Sequence, residues 1–171
     1  MRGKSILIMI LLSMLISGCI TSTSLQKDPF YTDNGVWDYP RLPLIKPYYM
    51  KYSGNDFGWV MPLQANPPSK STYYYYNVHD VRKLAVENNV IMVYTPFVEP
   101  IGPANMKIGQ KVLYWFAIVP DKNIEEGFDK EADFLNYIQA YDIREPSWVE
   151  PDAAYKQLGE TGCMDWIPNC R

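Results

Sequence analysis

The chain has 171 residues, with 16 Lys and Arg against 19 Asp and Glu, a formal net charge of −3. An excess of acid with scattered basic residues excludes tight, sequence-independent nucleic-acid binding, which needs several phosphates neutralised together. Hydrophobic residues make up 47% of the chain, too many for a disordered chain, and the length suits one domain around one core.

Met1-Arg2-Gly3-Lys4 is cationic without an acid, and Ile6 to Ile16 is apolar except for Ser13. The apolar run falls well short of the roughly 20 residues a spanning helix needs. A basic start, a short apolar run and small residues after it describe an export signal. Ile16-Ser17-Gly18-Cys19 resembles the lipobox of bacterial lipoproteins: an aliphatic residue, two small ones, then the cysteine that becomes the new N-terminus. The resemblance implies a diacylglycerol thioether on Cys19, cleavage before it, and N-acylation by a chain such as palmitate. Two or three acyl chains hold a protein firmly where one binds marginally, so the expected protein is anchored rather than spanning. The bland alternative is an ordinary secretory signal with a chance cysteine. Ile20 stands where an inner-membrane lipoprotein commonly has aspartate; in a Gram-negative cell the resemblance therefore favours the outer membrane, with the domain facing the periplasm or the exterior. The expected organisation is a signal peptide over 1–18, a lipidated N-terminus and flexible tether over 19–30, and a globular domain over 31–171.

Within that domain, Pro40, Pro43 and Pro47 predict an extended segment laid across the domain rather than in a sheet centre. Ser53-Gly54-Asn55-Asp56 reads as a turn, Phe57 to Leu63 as a short strand, and Asn66-Pro67-Pro68-Ser69 as a loop. Tyr73 to Val78 suits a strand, because aromatic residues fit pleated surfaces. Val81 to Glu87 fits either a short helix or a strand. Asn88-Asn89 predicts a tight turn, since Asn tolerates positive φ, and Val90 to Thr95 a strand ended by Pro96. Val112 to Val119 is a continuous apolar run of strand length, as in a strand buried on both faces. Pro120-Asp121-Lys122-Asn123 turns the chain. Asp129 is placed as the N-cap of a three-turn amphipathic helix carrying Phe134, Leu135, Ile138 and Tyr141 and closed by Pro146, with Glu131 and Asp133 facing the positive end of its dipole. These elements predict an α+β fold: one small domain, mainly antiparallel sheet, with one or two helices. Their order is similar to that of small uncharacterised bacterial lipoproteins, a resemblance that implies no activity.

Four groups of residues are candidates for chemistry. With Cys19 lipidated, Cys163 and Cys170 remain, and an even pair in an exported protein reads as a disulfide. Their spacing misses the Cys-x-x-Cys redox motif, and a zinc site lacks further ligands nearby. Closing so short a loop is worth roughly 2.5 kcal/mol in the chain-entropy model. His79 is the only histidine and hence the only imidazole available to activate a nucleophile; without a Gly-x-Ser-x-Gly elbow it reads as a surface or capping residue. Glu125, Glu126, Asp129, Glu131 and Asp133 cluster locally, whereas a glycosidase pair must face each other across a sugar, and the stretch lacks a calcium-loop pattern. Tyr73-Tyr74-Tyr75-Tyr76 sends two rings to each face of a strand, and an exposed pair would suit a sugar or a protein partner; the plainer reading is packing.

The resulting expectation is a non-catalytic, lipid-anchored envelope protein that binds a partner protein or an envelope component. A glycan- or peptidoglycan-binding module using Tyr73 to Tyr76 is the alternative, and an enzyme with an unrecognised site ranks last. No metal or cofactor is expected beyond the covalent lipid, and no nucleic-acid partner.

Overall fold

The computed structural model describes residues 28–32, 39–64, 77–96 and 112–170. The most strongly specified part begins at Asn88 and Asn89, whose φ angles of 47° and 62° are the left-handed pair that a two-residue hairpin turn demands. They join β5 (Lys83–Glu87) to β6 (Val90–Tyr94) in the register Glu87↔Val90. The same strands settle the ambiguous segment from Val81 to Glu87 in favour of a strand. β7 (Trp115–Val119) pairs antiparallel with β6, and β8 (Ile124–Phe128) with β7. Pro120–Lys122 forms one 3-10 turn between them, closed by Asn123 at φ 52°, whose N–H donates to the Pro120 carbonyl at 3.1 Å.

Side-chain alternation along this sheet feeds two separate cores. Leu84, Ile91, Val93, Phe116 and Ile118 face one, and Ala85, Val90, Met92, Ala117 and Val119 the other. Antiparallel sheets commonly leave one face wet; here both are covered, which is why β6 and β7 read as unbroken apolar runs. The second core is closed by Phe134 and Ile138 of the helix Glu131–Ile138, together with Ile143.

The first core is closed by another antiparallel sheet, ordered β1 (Arg41–Pro43), β2 (Tyr49–Tyr52), β3 (Trp59–Pro62) and β4 (Asn77–Val78). Leu42 opposes Met50, and Met61 opposes Val78; all four side chains belong to that core. β1, with its proline, lies at the sheet edge where a missing N–H costs no ladder bond, as the proline spacing predicts. A four-residue helix, α1 (Pro29–Thr32), lies against it: the Arg41 guanidinium sits 4.5 Å from the Phe30 ring and donates to the Phe30 carbonyl at 2.8 Å.

Between the two sheets a polar link crosses the core. Glu125 of β8, 5% exposed, accepts a hydrogen bond from the Tyr48 hydroxyl at 2.9 Å and another from the Gln64 main-chain N–H at 2.6 Å. Two donors make burial of a carboxylate tolerable. The Tyr48 hydroxyl is pushed well above its ordinary pKa, first by burial and then by its bond to Glu125 and that group's charge.

The architecture is the expected single α+β domain, with differences in detail. The helix predicted from Asp129 begins one residue later: Lys130 is extended at φ −126° and occupies the N-cap without a side-chain cap, so the helix, α2, spans Glu131–Ile138. It ends well before Pro146, because a 3-10 turn at Gln139–Tyr141 runs into Asp142 at φ 60°. A further helix, α3 (Pro151–Thr161), follows; Ala154 and Leu158 enter the first core beside Met164 and Ile167. Proline in the first turn and Gly162 at φ 65° as C-cap, donating to the Leu158 carbonyl at 2.7 Å, mark its two ends, the usual asymmetry of helix termini. Cys163 and Cys170 form the expected disulfide, with Cα atoms 5.3 Å apart. Their loop presents Trp166, whose Nε1–H donates to the Pro43 carbonyl at 3.1 Å and moors the loop to β1.

Candidate functional site

A cleft of about 560 Å³ opens where three segments meet. The first is the β2–β3 hairpin. Gly54 turns it at φ 82°, and the Tyr52 hydroxyl donates to Asn55 Oδ1 at 2.9 Å. Gly58 takes φ 57°, and a Cβ there would stand 2.9 Å from Asp80 Oδ1, so that the carboxylate would have to shift. The second segment, Asp80 to Lys83, leads into β5. Asp80 itself is held at φ 47°, its N–H donating to the Phe57 carbonyl and that of Val81 to the Trp59 carbonyl, at 2.8 and 2.9 Å. Its carboxylate pairs with Arg82 Nε at 2.9 Å.

The third segment, Trp148 to Asp152, approaches α3. Val149 and Leu84 exchange both main-chain hydrogen bonds at 2.8 Å, so the segment runs beside β5 as a partial extra strand and covers the sheet edge. The Ser147 N–H adds a bond to the Glu87 carboxylate. Pro151 opens α3, and Asp152 in its first turn sits at the favourable end of the dipole. Asp152 Oδ1 accepts a 2.7 Å bond from Trp59 Nε1, which fixes the indole beneath the cleft. The Trp59 ring meets Tyr52 edge-on at 5.8 Å and Tyr155 of α3 at 5.5 Å. Trp148 stacks on Phe134 at 6.0 Å and so ties the cleft wall to the second core.

Chemically the cleft is mixed. Tyr52 and Trp148 supply partly exposed aromatic surface beside the buried Trp59, Arg82 and Lys83 positive charge, Asp80, Glu150 and Asp152 negative charge. Its volume lies within the range of about 300–1,000 Å³ usual for small-ligand sites.

The residues singled out from sequence stand elsewhere. Cys19 and Tyr73 to Tyr76 lie outside the described residues. The His79 ring rests 5.3 Å from Phe57, and its carbonyl accepts the Thr95 hydroxyl at 2.6 Å, next to the cleft without lining it. The five carboxylates diverge: Glu125 points between the sheets, Glu126 lies on the opposite face of β8, Asp129 stands half-buried just before α2, and Glu131 and Asp133 are solvent-exposed on α2. Among the described residues, no three His, Cys, Asp or Glu side chains are grouped to hold a metal ion. The cleft residues went unrecognised in the sequence because the site draws on distant segments. The nearest local signal is Trp148-Val149-Glu150-Pro151-Asp152, where an aromatic residue and two acids flank a helix-opening proline.

No family model, curated protein or solved structure matches the chain.

Proposed function

We propose that this is a lipid-anchored protein of the cell envelope, cut before Cys19, whose domain binds a partner protein or another envelope component rather than transforming a substrate. The observation that carries the reading is the ordered combination of cationic start, apolar run and Ile16-Ser17-Gly18-Cys19. In a Gram-negative cell, Ile20 favours the outer membrane. The lipid supplies the membrane attachment; among the described residues no helix is long and apolar enough to cross a membrane.

The open cleft supports the binding half of the reading. Peptidoglycan is an alternative ligand to a protein, and nucleic acid is not one.

The anchor is tested by fractionation. Cys19→Ser should move the protein from the membrane pellet to the soluble envelope fraction, and unchanged sedimentation would overturn it. For the binding half, a photocrosslinking residue at Val149 in intact cells should yield a discrete adduct; labelling no stronger than at Glu131 on the far side would count against it.

A further inference from the structure

The geometry points to the cleft between the β2–β3 hairpin and the start of α3 as a binding site for an uncharged saccharide. The proposal rests on the binding-module reading and names its ligand class. Large apolar side chains exposed to solvent are few among the described residues: Tyr39, Phe57, Tyr155 and Val149, at 60, 44, 38 and 37%. Val149 lines the cleft beside the half-buried rings of Tyr52 and Trp148, and Tyr155 packs against Trp59, which also lines it. Exposed apolar surface concentrated in one place marks a recognition surface.

The ligand class follows from what lies between those apolar groups. Asn55, Arg82 and Lys83 bring donors; Asp80 and Glu150 bring acceptors. A sugar ring has the matching split character. Its C–H face lies flat on aromatic rings, and the hydroxyls around its edge both donate and accept. Charge argues against an anionic ligand: with Asp80 and Arg82 paired at 2.9 Å, two acids, one of them already accepting from Trp59, face one cation. Protein occupants fit less well. An added strand needs a free edge on β5, yet Leu84 is paired in both directions with Val149, and a docked helix needs a continuous apolar groove, which the charged side chains interrupt here.

The test is tryptophan fluorescence of the full chain in detergent, titrated with chitotetraose, cellotetraose and, separately, trilysine. A saturable change with at least one saccharide at millimolar concentration is expected, insensitive to added salt because no ion pair forms. Tyr155→Ala and Arg82→Gln should each weaken it roughly tenfold, equivalent to about 1.4 kcal/mol, and Glu131→Gln on α2 should leave it unchanged. Both altered side chains are exposed, and an unchanged melting temperature shows that the variants are folded. No response to either saccharide, a response that survives both cleft variants, or a response to trilysine alone would overturn the proposal. None of these outcomes bears on the Cys19→Ser fractionation or on the Val149 adduct, so failure of the saccharide and failure of the anchored-binder reading are separable.

Discussion

Along β5 to β8, successive side chains enter two different cores, and β6 and β7 each carry four buried residues out of five. The cleft is assembled the other way: three segments far apart in sequence contribute a few residues each, about half of them polar or charged, over Trp59, which belongs to the first core and donates to Asp152. The contrast separates two demands on one small domain. Burial on both faces of one sheet supplies cohesion, and that leaves the hairpin and the approach to α3 free to carry side chains that contribute little to stability. The two regions meet at Trp148, which stacks on Phe134 of the second core and also lines the cleft.

The sharpest break in this comparison comes from the buried side. Phe134 is fully buried and contacts both Phe128 and Trp148. Phe134→Ala should cost about 3–5 kcal/mol, the usual range for losing a core phenylalanine, and denaturant unfolding measures it. A loss below about 1 kcal/mol would mean that the second core closes without α2 and that cohesion lies elsewhere.

The same division governs how much could be read from the residues alone. The β5–β6 hairpin, the buried β7 and the turn after it were legible because their signals are local: an Asn pair, a period-two sheet with both faces apolar, a proline at a turn. The disulfide was legible from cysteine pairing. α3 was not foreseen, because its apolar stripe is thin, only Pro151, Ala154 and Leu158 being buried, although Pro151 and Gly162 bracket it in the order that helix ends favour. The start of α2 was misplaced by one residue because Asp129 is a better capping residue than Lys130, while the chain takes its last extended conformation at Lys130. The cleft was illegible for a different reason: Trp59, Asp80 and Trp148 are brought together by sheet pairing and by the Val149–Leu84 bridge, contacts that leave no local pattern.

Between the extremes stands the link from Tyr48 to Glu125. Tyr48→Phe keeps the ring and removes one of the two donors to a buried carboxylate, with an expected cost of about 1.5–3 kcal/mol. The pH dependence gives a second reading. Burial and Glu125 raise the Tyr48 pKa, and burial with Tyr141 raises that of Tyr137. Both phenols therefore favour the neutral form in the fold, so their contribution is complete below about pH 10 and is lost as pH rises beyond it, because the unfolded chain ionises first. The melting temperature should fall above that pH, and less steeply in Tyr48→Phe, which retains only the Tyr137 part. Identical slopes would show that the hydroxyl is not held neutral by its surroundings.

The smallest effect belongs to the cleft rim. Arg82 pairs with Asp80, but its side chain is 64% exposed, and surface ion pairs of this kind contribute only about 0–1 kcal/mol. Glu150 is exposed at the N-cap of α3 and makes no side-chain cap, so nothing structural is lost with its charge. Arg82→Gln and Glu150→Gln should therefore each shift unfolding free energy by no more than about 0.5 kcal/mol. Retained stability would mean that charged groups occupy the rim without serving the fold, which is where selection by a ligand can act. If either substitution instead cost as much as Tyr48→Phe, the rim would be part of the scaffold, and the division between a cohesive sheet and a free cleft would no longer describe the molecule.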